Sequence, residues 1–488
     1  MAGSPAGRTC LRPDAAPVVF SGVSFLFYFL PAFLLVYFLA PARARNLVLF
    51  AASLLFYSWG EGAYVLVLLA YLVFNYACGL AVDRLEGGRR KAALAVGLAF
   101  NLSGLVYFKY VMLVVALLPG PFGSLPEHLP AGISFYTFHS ISYLVDVYRR
   151  SAAAERNVLS LAVYLSMFPQ LIAGPIIRFK DICGEIRSRT CSWEQAYTGS
   201  RQVFVGLAQK VLIADNVGPL ADAAFGADPA SLTAGLAWLG VVAYTFQLYF
   251  DFAGYSNMAI GMGRVMGLTY PRNFDLPYCS QSITEFWRRW HISLSTWFRD
   301  YLYIPLGGNR ISRSRTFVNL LAVFVLCGLW HGASFNFVVW GLYHGAFLVL
   351  ERTRFGAALE ARPAPARYAY ALLVVMIGWV FFRSPTLAHA FAYLQAMFCA
   401  LGSCTVSVPA DLFEIAPWHA LWLLLAAALA TPLRALFGAR LSLAESGPAA
   451  AAPLAAQWRP AAGSVLLLVL VSAALAAGTY SPFLYFRF

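Results

Sequence analysis

Apolar runs of about 20 residues recur from one end of this chain to the other, and that recurrence decides most of what it can fold into. A helix needs a run of this length to cross the hydrocarbon core of a bilayer, because it rises only about 1.5 Å per residue. Inside lipid each backbone N–H and C=O must find a partner within the protein, so only helices and closed barrels survive there. The runs here are too long and too unalternating for strands. They fall near residues 18–40, 46–58, 63–82, 92–118, 131–147, 203–225, 231–252, 368–383, 417–438 and 461–478. The expectation is an all-α, polytopic integral membrane protein with about 10–12 transmembrane helices, plus re-entrant and amphipathic segments. Only 12% of the 488 residues are charged, about half the usual share of a soluble domain. No polar segment is long enough to fold alone. Residues 1–488 therefore read as one membrane domain, with a polar tail at 1–17 and a short tail at 479–488. The run from Val18 to Ala40 is long for a signal-peptide core and lacks a cleavage site, so it reads as a first span.

The formal net charge is +13. In a soluble protein that excess would point to nucleic acid. Here the Lys and Arg residues sit between apolar runs, where the positive-inside rule accounts for them and lipid headgroups are their partners. Arg43 and Arg45, then Arg84, Arg89, Arg90 and Lys91, then Arg149, Arg150 and Arg156 alternate with linkers free of Lys and Arg, such as Gly60-Glu61-Gly62 and Pro119 to Pro130. That alternation puts the N-terminus outside and the basic loops in the cytosol. The eight Cys are scattered without metal-type spacing and read as unpaired thiols. The Ala-rich stretch 446–456 reads as a flexible linker.

Three segments depart from simple spans. Residues 158–177 are apolar but have basic residues on both sides, Arg156 before and Arg178 and Lys180 after. With Pro169, Gly174 and Pro175 inside, a re-entrant segment fits, and such backbone is tolerated at membrane depth only when protein surrounds it. Residues 264–315 are the most cationic region, with Arg288, Arg289 and Arg299 interleaved among Trp287, Trp290 and Trp297. Two compatible readings stand: an amphipathic surface helix with an aromatic belt, or one wall of a substrate entrance on the cytosolic side. Residues 316–350 are too long for one span. Two helices with a break near Gly332 and Ala333 would make a hairpin and put His331 near its inner end.

Polar side chains are costly at that depth, so His331 and its companions His291 and His344 become candidates for chemistry. His139, beside Asp146, is intermediate, and His128, His389 and His419 read as structural. Burial favours neutral imidazole, the form a general base needs. On one continuous helix His331 and His344 would stand about 140° apart, so they would not share a metal. No HExxH, carboxylate cluster, GxSxG or Walker loop accompanies them, and no metal is expected.

Several stretches together are distinctive: LPAGISFYTFHSISYLVDVYR at 129–149, FPQLIAGPIIRF at 168–179, YFDFAGYSNMAIGMGRVMG at 249–267, NFDLPYCSQSITEFWRRWHISLSTWFRDYLYIPLGGNR at 273–310 and WHGASFNFVVWGLYHG at 330–345. Their order and spacing resemble the membrane-bound O-acyltransferase family, and within it the members that O-acetylate exopolysaccharides such as alginate. The resemblance implies helices around a central tunnel, in the cytoplasmic (inner) membrane of a bacterium. It implies His331, in the WHG motif, as general base and His291, in RWH, as the second histidine. His344 also matches the family pattern. Asn336, Ser334, Asn273 and Asp275 are weaker candidates, and Asp251 is either a buried orienter or a structural hydrogen-bonding residue. The implied donor is a cytosolic thioester, acetyl-CoA, as co-substrate rather than bound cofactor. Arg288, Arg289 and Arg299 would attract its phosphates. The implied partners are periplasmic acetyltransferases of the SGNH-hydrolase type and the machinery that makes and exports the polysaccharide. Tyr485, in the terminal SPFLYFRF, reads either as a transient acyl acceptor or as an interfacial anchor. D-alanyl transfer to an envelope polymer, and a secondary transporter or flippase, are the competing functions. A purely structural scaffold would not need His331 and His291 where they are.

Overall fold

The computed structural model describes residues 20–116, 129–398, 417–431 and 454–476, and every regular element among them is helical. The tails at 1–17 and 479–488, Tyr485, His128 and most of the Ala-rich stretch lie outside the described residues.

A π-helical start at Ser24–Phe29 leads into α1 (Leu30–Leu39). Then come α2 (Arg45–Glu61), α3 (Val65–Arg84) and α4 (Gly87–Ala116). A second group follows: α5 (Ile133–Tyr148), α6 (Val158–Ser166), α7 (Phe168–Leu171), α8 (Phe179–Arg187), α9 (Trp193–Ala208), α10 (Asp215–Gly226) and α11 (Ala234–Val265). Short α12 (Ile283–Arg289) and α13 (Ile292–Phe298) precede the pair α14 (Arg313–His331) and α15 (Phe335–Leu350). The chain continues through α16 (Arg354–Glu360), α17 (Ala364–Arg383), α18 (Leu387–Phe398), α19 (Pro417–Ala430) and α20 (Leu454–Ala476). Among the described residues, six helical stretches are long and apolar enough to cross a membrane: Arg45–Arg84, Gly87–Val111, Trp193–Gly226, Ala234–Val265, Arg313–His331 and Ala364–Arg383. Shorter apolar helices include Ser24–Leu39, Phe335–Leu350, Trp418–Ala430 and Val465–Ala476. The Arg45–Arg84 stretch is divided at Gly62, whose φ of +55° no helix accommodates.

Helices in an apolar medium gain most from close backbone approach and from paired polar side chains. Both devices are present. A Cβ on Gly206 of α9 would stand 2.5 Å from the carbonyl oxygen of Gly254 on α11, so only hydrogen fits there. Asn75 of α3 and Asn101 of α4 exchange side-chain hydrogen bonds of 3.0 and 2.8 Å in the buried interior.

The segment at 158–177 is α6, the single turn α7 and irregular backbone, nearly all of it buried. Its backbone groups are met by side chains. Phe168 N–H donates to Ser53 Oγ at 3.1 Å, Ile176 N–H to Ser293 Oγ at 3.0 Å, and Ile177 N–H to His139 Nε2 at 3.4 Å. The Tyr164 hydroxyl donates to Ile177 O at 2.9 Å. Irregular backbone survives here because protein supplies what lipid could not.

The 264–315 region corrects the surface-helix reading. It is a loop, two helices of about two turns each and a π-helical turn at Arg299–Tyr303, and its aromatics face inward. Trp287 packs on Phe324 at 5.0 Å, Trp290 on Trp379 at 5.1 Å and Trp297 on Phe138 at 4.0 Å between ring centroids. The cause is local. His291 takes the left-handed conformation, φ 44° and ψ 55°, so α12 and α13 cannot join into one helix with a single aromatic face.

Candidate active site

His331 is the last residue of α14. The chain extends at Gly332 (φ −168°) and restarts as α15, whose N-cap Ser334 accepts a hydrogen bond from Asn336 N at 3.2 Å. The two helices run close together. A Cβ on Gly328 would lie 2.1 Å from Phe337 O, and one on Gly341 2.2 Å from Phe324 O. The His331 ring is held among Trp330 at 4.7 Å, Trp340 at 5.1 Å and Phe382 at 5.1 Å.

One side of that ring borders a cavity, whose other walls are Leu248, Phe252, Trp290, Trp340, Trp379 and Phe382. Its volume is about 10 Å³, room for about one water molecule.

His291 also packs near Trp330, 6.2 Å from that ring. Its Nδ1 is 3.0 Å from Asn273 Oδ1, which also accepts from Ser293 Oγ at 2.8 Å. The backbone N–H of Ser293 also donates to Asn273 Oδ1 at 3.3 Å, which fixes the amide orientation and leaves Nδ2 to donate to Ser256 Oγ at 2.9 Å. An amide oxygen only accepts, so the His291 proton is on Nδ1 and Nε2 carries the lone pair. Among the described residues Nε2 has no hydrogen-bond partner. Phe252 packs edge-on to this imidazole at 4.7 Å.

The other expected residues are placed as follows. His344 is fully buried one turn behind Trp340, 5.2 Å from Trp287, and neither ring nitrogen has a hydrogen-bond partner among the described residues. Asn336 donates to Ser384 O at 2.7 Å and so ties α15 to the end of α17. Asp251 is one residue from the cavity wall, but its carboxylate is 3.1 Å from Lys210 Nζ, which also meets Asp215. Arg288 is exposed. Arg289 is engaged by Glu285 at 2.8 Å and Asp275 at 3.8 Å, and Arg299 by Asp300 at 2.8 Å. Arg178, from the 158–177 side, joins the same carboxylate at 2.6 Å, and the Arg149 guanidinium donates to Asp300 O at 3.0 Å. Burial raises the Asp300 carboxyl's pKa, but Arg299 and Arg178 outweigh it and hold the group below its ordinary 3.8.

Sequence reasoning missed three participants. Trp379 and Phe382 of α17 belong to no recognisable motif and come to the cavity only through tertiary packing. Lys109 of α4 donates to Trp330 O and His331 O. Its signal was available: a lysine within an otherwise apolar run.

The model of the membrane-bound O-acyltransferase family matches residues 132–388, which hold both histidines and every wall of the cavity. The chain belongs to that family. It is an acyltransferase of the membrane and spans the bilayer several times. "Probable alginate O-acetylase AlgI" of Azotobacter vinelandii is 46% identical over 402 residues, covering 80% of each chain. The protein of the same name in Pseudomonas aeruginosa is 47% identical over 392 residues, 78% of this chain and 75% of that one. The peptidoglycan O-acetyltransferase of Helicobacter pylori is 35% identical over 421 residues, 78% of this chain and 80% of that one. Four of the seven cavity walls, Phe252, Trp290, His331 and Trp340, lie in the stretches that carry the family resemblance.

Proposed function

We propose that this acyltransferase takes an acetyl group from acetyl-CoA on the cytosolic side of a bacterial inner membrane and delivers it across the bilayer for O-acetylation of an exopolysaccharide of the alginate type. The observation that carries the reading is the closeness of two buried imidazoles to one aromatic cavity, His331 on its wall and His291 packed against its wall residue Phe252, with its tautomer fixed by Asn273. The relatives named above support the acetyl group and the polysaccharide class.

His331 is the general base. It takes the proton of the attacking hydroxyl as that oxygen bonds to the thioester carbonyl carbon. The tetrahedral intermediate collapses with cleavage of the C–S bond, and the departing sulfur receives the proton from the imidazolium. The products are an O-acetyl ester and free CoA, so no net proton is released. A positioned base contributes about 10²–10⁴-fold, and holding the two reactants together in a dry cavity contributes at least as much. His291 orients the acyl group through Nε2. The cytosolic rim, with Arg288, Arg299, Arg149 and Arg178, meets the CoA phosphates. Tyr485 accepts the acetyl group for hand-over to a periplasmic acetyltransferase of the SGNH-hydrolase type.

The test uses the purified chain in detergent with radiolabelled acetyl-CoA and, in parallel, a charged acyl carrier protein. Thioester turnover is expected with acetyl-CoA and is expected to fall about 10²–10⁴-fold in His331→Ala. Turnover with the carrier alone would move the reading to another acyl donor. Normal rates in His331→Ala would remove the base.

A further inference from the structure

Helix α14 stops inside the protein, so the carbonyls of its last turn have no helical partner and no water to replace one. Each of them is nonetheless met. Gly328 O accepts from Gly332 N at 3.4 Å. The next three are served by a different helix. The hydroxyl of Tyr110, on α4, donates to Leu329 O. The ammonium of Lys109 donates to Trp330 O and, at 3.2 Å, to His331 O. The same ammonium lies 5.8 Å from the centroid of the Trp330 ring.

The placement follows from the lengths of two helices. Lys109 is nineteen residues past Arg90 on α4, and His331 is eighteen past Arg313 on α14. At the helical rise both lie about 27–29 Å from the basic ends of their helices, a match in length that lets them meet. A buried amine is costly unless it has partners, and three α14 features supply them: two carbonyl oxygens and an indole face.

We propose that Lys109, assisted by Tyr110, is the positioning residue of the acyl-transfer site: it clamps the last turn of α14 and thereby sets the His331 ring against the cavity. The clamp has a clear line of action. Trp330 and His331 are adjacent, and their carbonyls share one donor. Trp330 is itself stacked on Phe138 at 5.3 Å, and Phe138 on Trp297 at 4.0 Å. Release of the lysine therefore frees the turn that carries His331 while that aromatic stack remains. Lys109 does not touch the reacting atoms. It acts through the backbone on which the base is mounted. The inference rests on the role given to His331 above.

The experiment compares wild type with Lys109→Met, Lys109→Arg and Tyr110→Phe, purified in detergent. Two quantities are read: acetyl-CoA turnover, split into kcat and KM, and amide hydrogen–deuterium exchange across residues 325–335. In Lys109→Met, kcat is expected to fall about 10²-fold, as for a catalytic group displaced by about 1 Å, with KM for acetyl-CoA little changed. Exchange in the last turn of α14 is expected to accelerate. Lys109→Arg keeps a cation and its donors and recovers most of both. Tyr110→Phe loses one bond only, keeps the packing and shows the smaller effect in the same direction. A Lys109→Met protein with wild-type kcat overturns the clamp, whatever its exchange. So does unchanged exchange. If wild type itself fails to turn over acetyl-CoA while exchange still accelerates in Lys109→Met, the clamp stands and the acetyl-CoA reading falls.

Discussion

His331, on the cavity wall, and His291, behind the wall residue Phe252, are held in opposite ways. His331 ends a regular 19-residue helix, and its neighbourhood is secured by backbone: close approach of α15 at Gly328 and Gly341, and carbonyls met by α4. His291 occupies a left-handed turn between two seven-residue helices, and its neighbourhood is secured by side chains, with Asn273 at the centre. Leu276, also left-handed at φ 48°, lies in the same region. Left-handed backbone at a residue with a Cβ costs about 1–2 kcal/mol. It persists where the surroundings over-determine it. The contrast teaches that a low-dielectric site can fix an imidazole either by ending a helix at it or by tying a strained turn around it. The second route depends more heavily on individual hydrogen bonds.

The sharpest way to break this comparison is at Asn273. Asn273→Ala removes the acceptor shared by His291 Nδ1 and Ser293 Oγ and the donor to Ser256. Each buried group left unmet costs about 1–3 kcal/mol. The fixed tautomer of His291 is lost with the acceptor. Acetyl transfer is expected to fall about 10²-fold, together with a lower unfolding temperature in detergent. Unchanged turnover would show that the side-chain network is not what holds His291.

The matching cut on the helical side is Gly328→Ala. The new methyl meets the carbonyl of Phe337, a backbone atom that cannot swing aside. Overpacking of this kind costs about 1–3 kcal/mol. The α14–α15 pair is expected to splay slightly, and the loss should register chiefly in thermal unfolding, with turnover reduced less than in Asn273→Ala. A larger drop in turnover than in stability would mean that His331 is the more delicately held of the two.

The same contrast explains what was legible in the sequence. Spans, the break after His331 and the irregular backbone around Pro169 and Pro175 follow from apolar run length, glycine and proline, which act locally. The cavity is different. Trp379 and Phe382 come from α17, Lys109 from α4 and Leu248 and Phe252 from α11. No local rule brings three distant helices to the end of α14. The inward turn of Trp287, Trp290 and Trp297 was hidden for a related reason: arginine–aromatic alternation looks the same on a surface helix as in a broken, buried segment. Only the backbone reversal at His291 separates the two.

The smallest expected effect tests the outer edge of the side-chain-held region, where Asp300 gathers Arg178, Arg299 and the Arg149 donor around the π-helical turn after α13. Its folded carboxyl titrates below the ordinary 3.8, because the two guanidinium groups together outweigh the opposing effect of burial. A depressed carboxyl pKa stabilises the fold above the unfolded value, and the contribution disappears as pH falls through the lower folded value. Wild type should therefore unfold at a higher temperature than Asp300→Asn at neutral pH, and the gap should narrow only below about pH 3.8, the ordinary carboxyl value. Partly exposed ion pairs are worth little, so the neutral-pH gap is expected to be small, on the order of 1 kcal/mol or less. Turnover should hardly change if the cluster only braces the turn. A clear rise in KM for acetyl-CoA, or a fall, would instead show that Arg178 and Arg299 divide their charge between Asp300 and the donor's phosphates. The direction would decide which wins: freeing both guanidinium groups lowers KM if they bind phosphate, and raises it if Asp300 was needed to aim them.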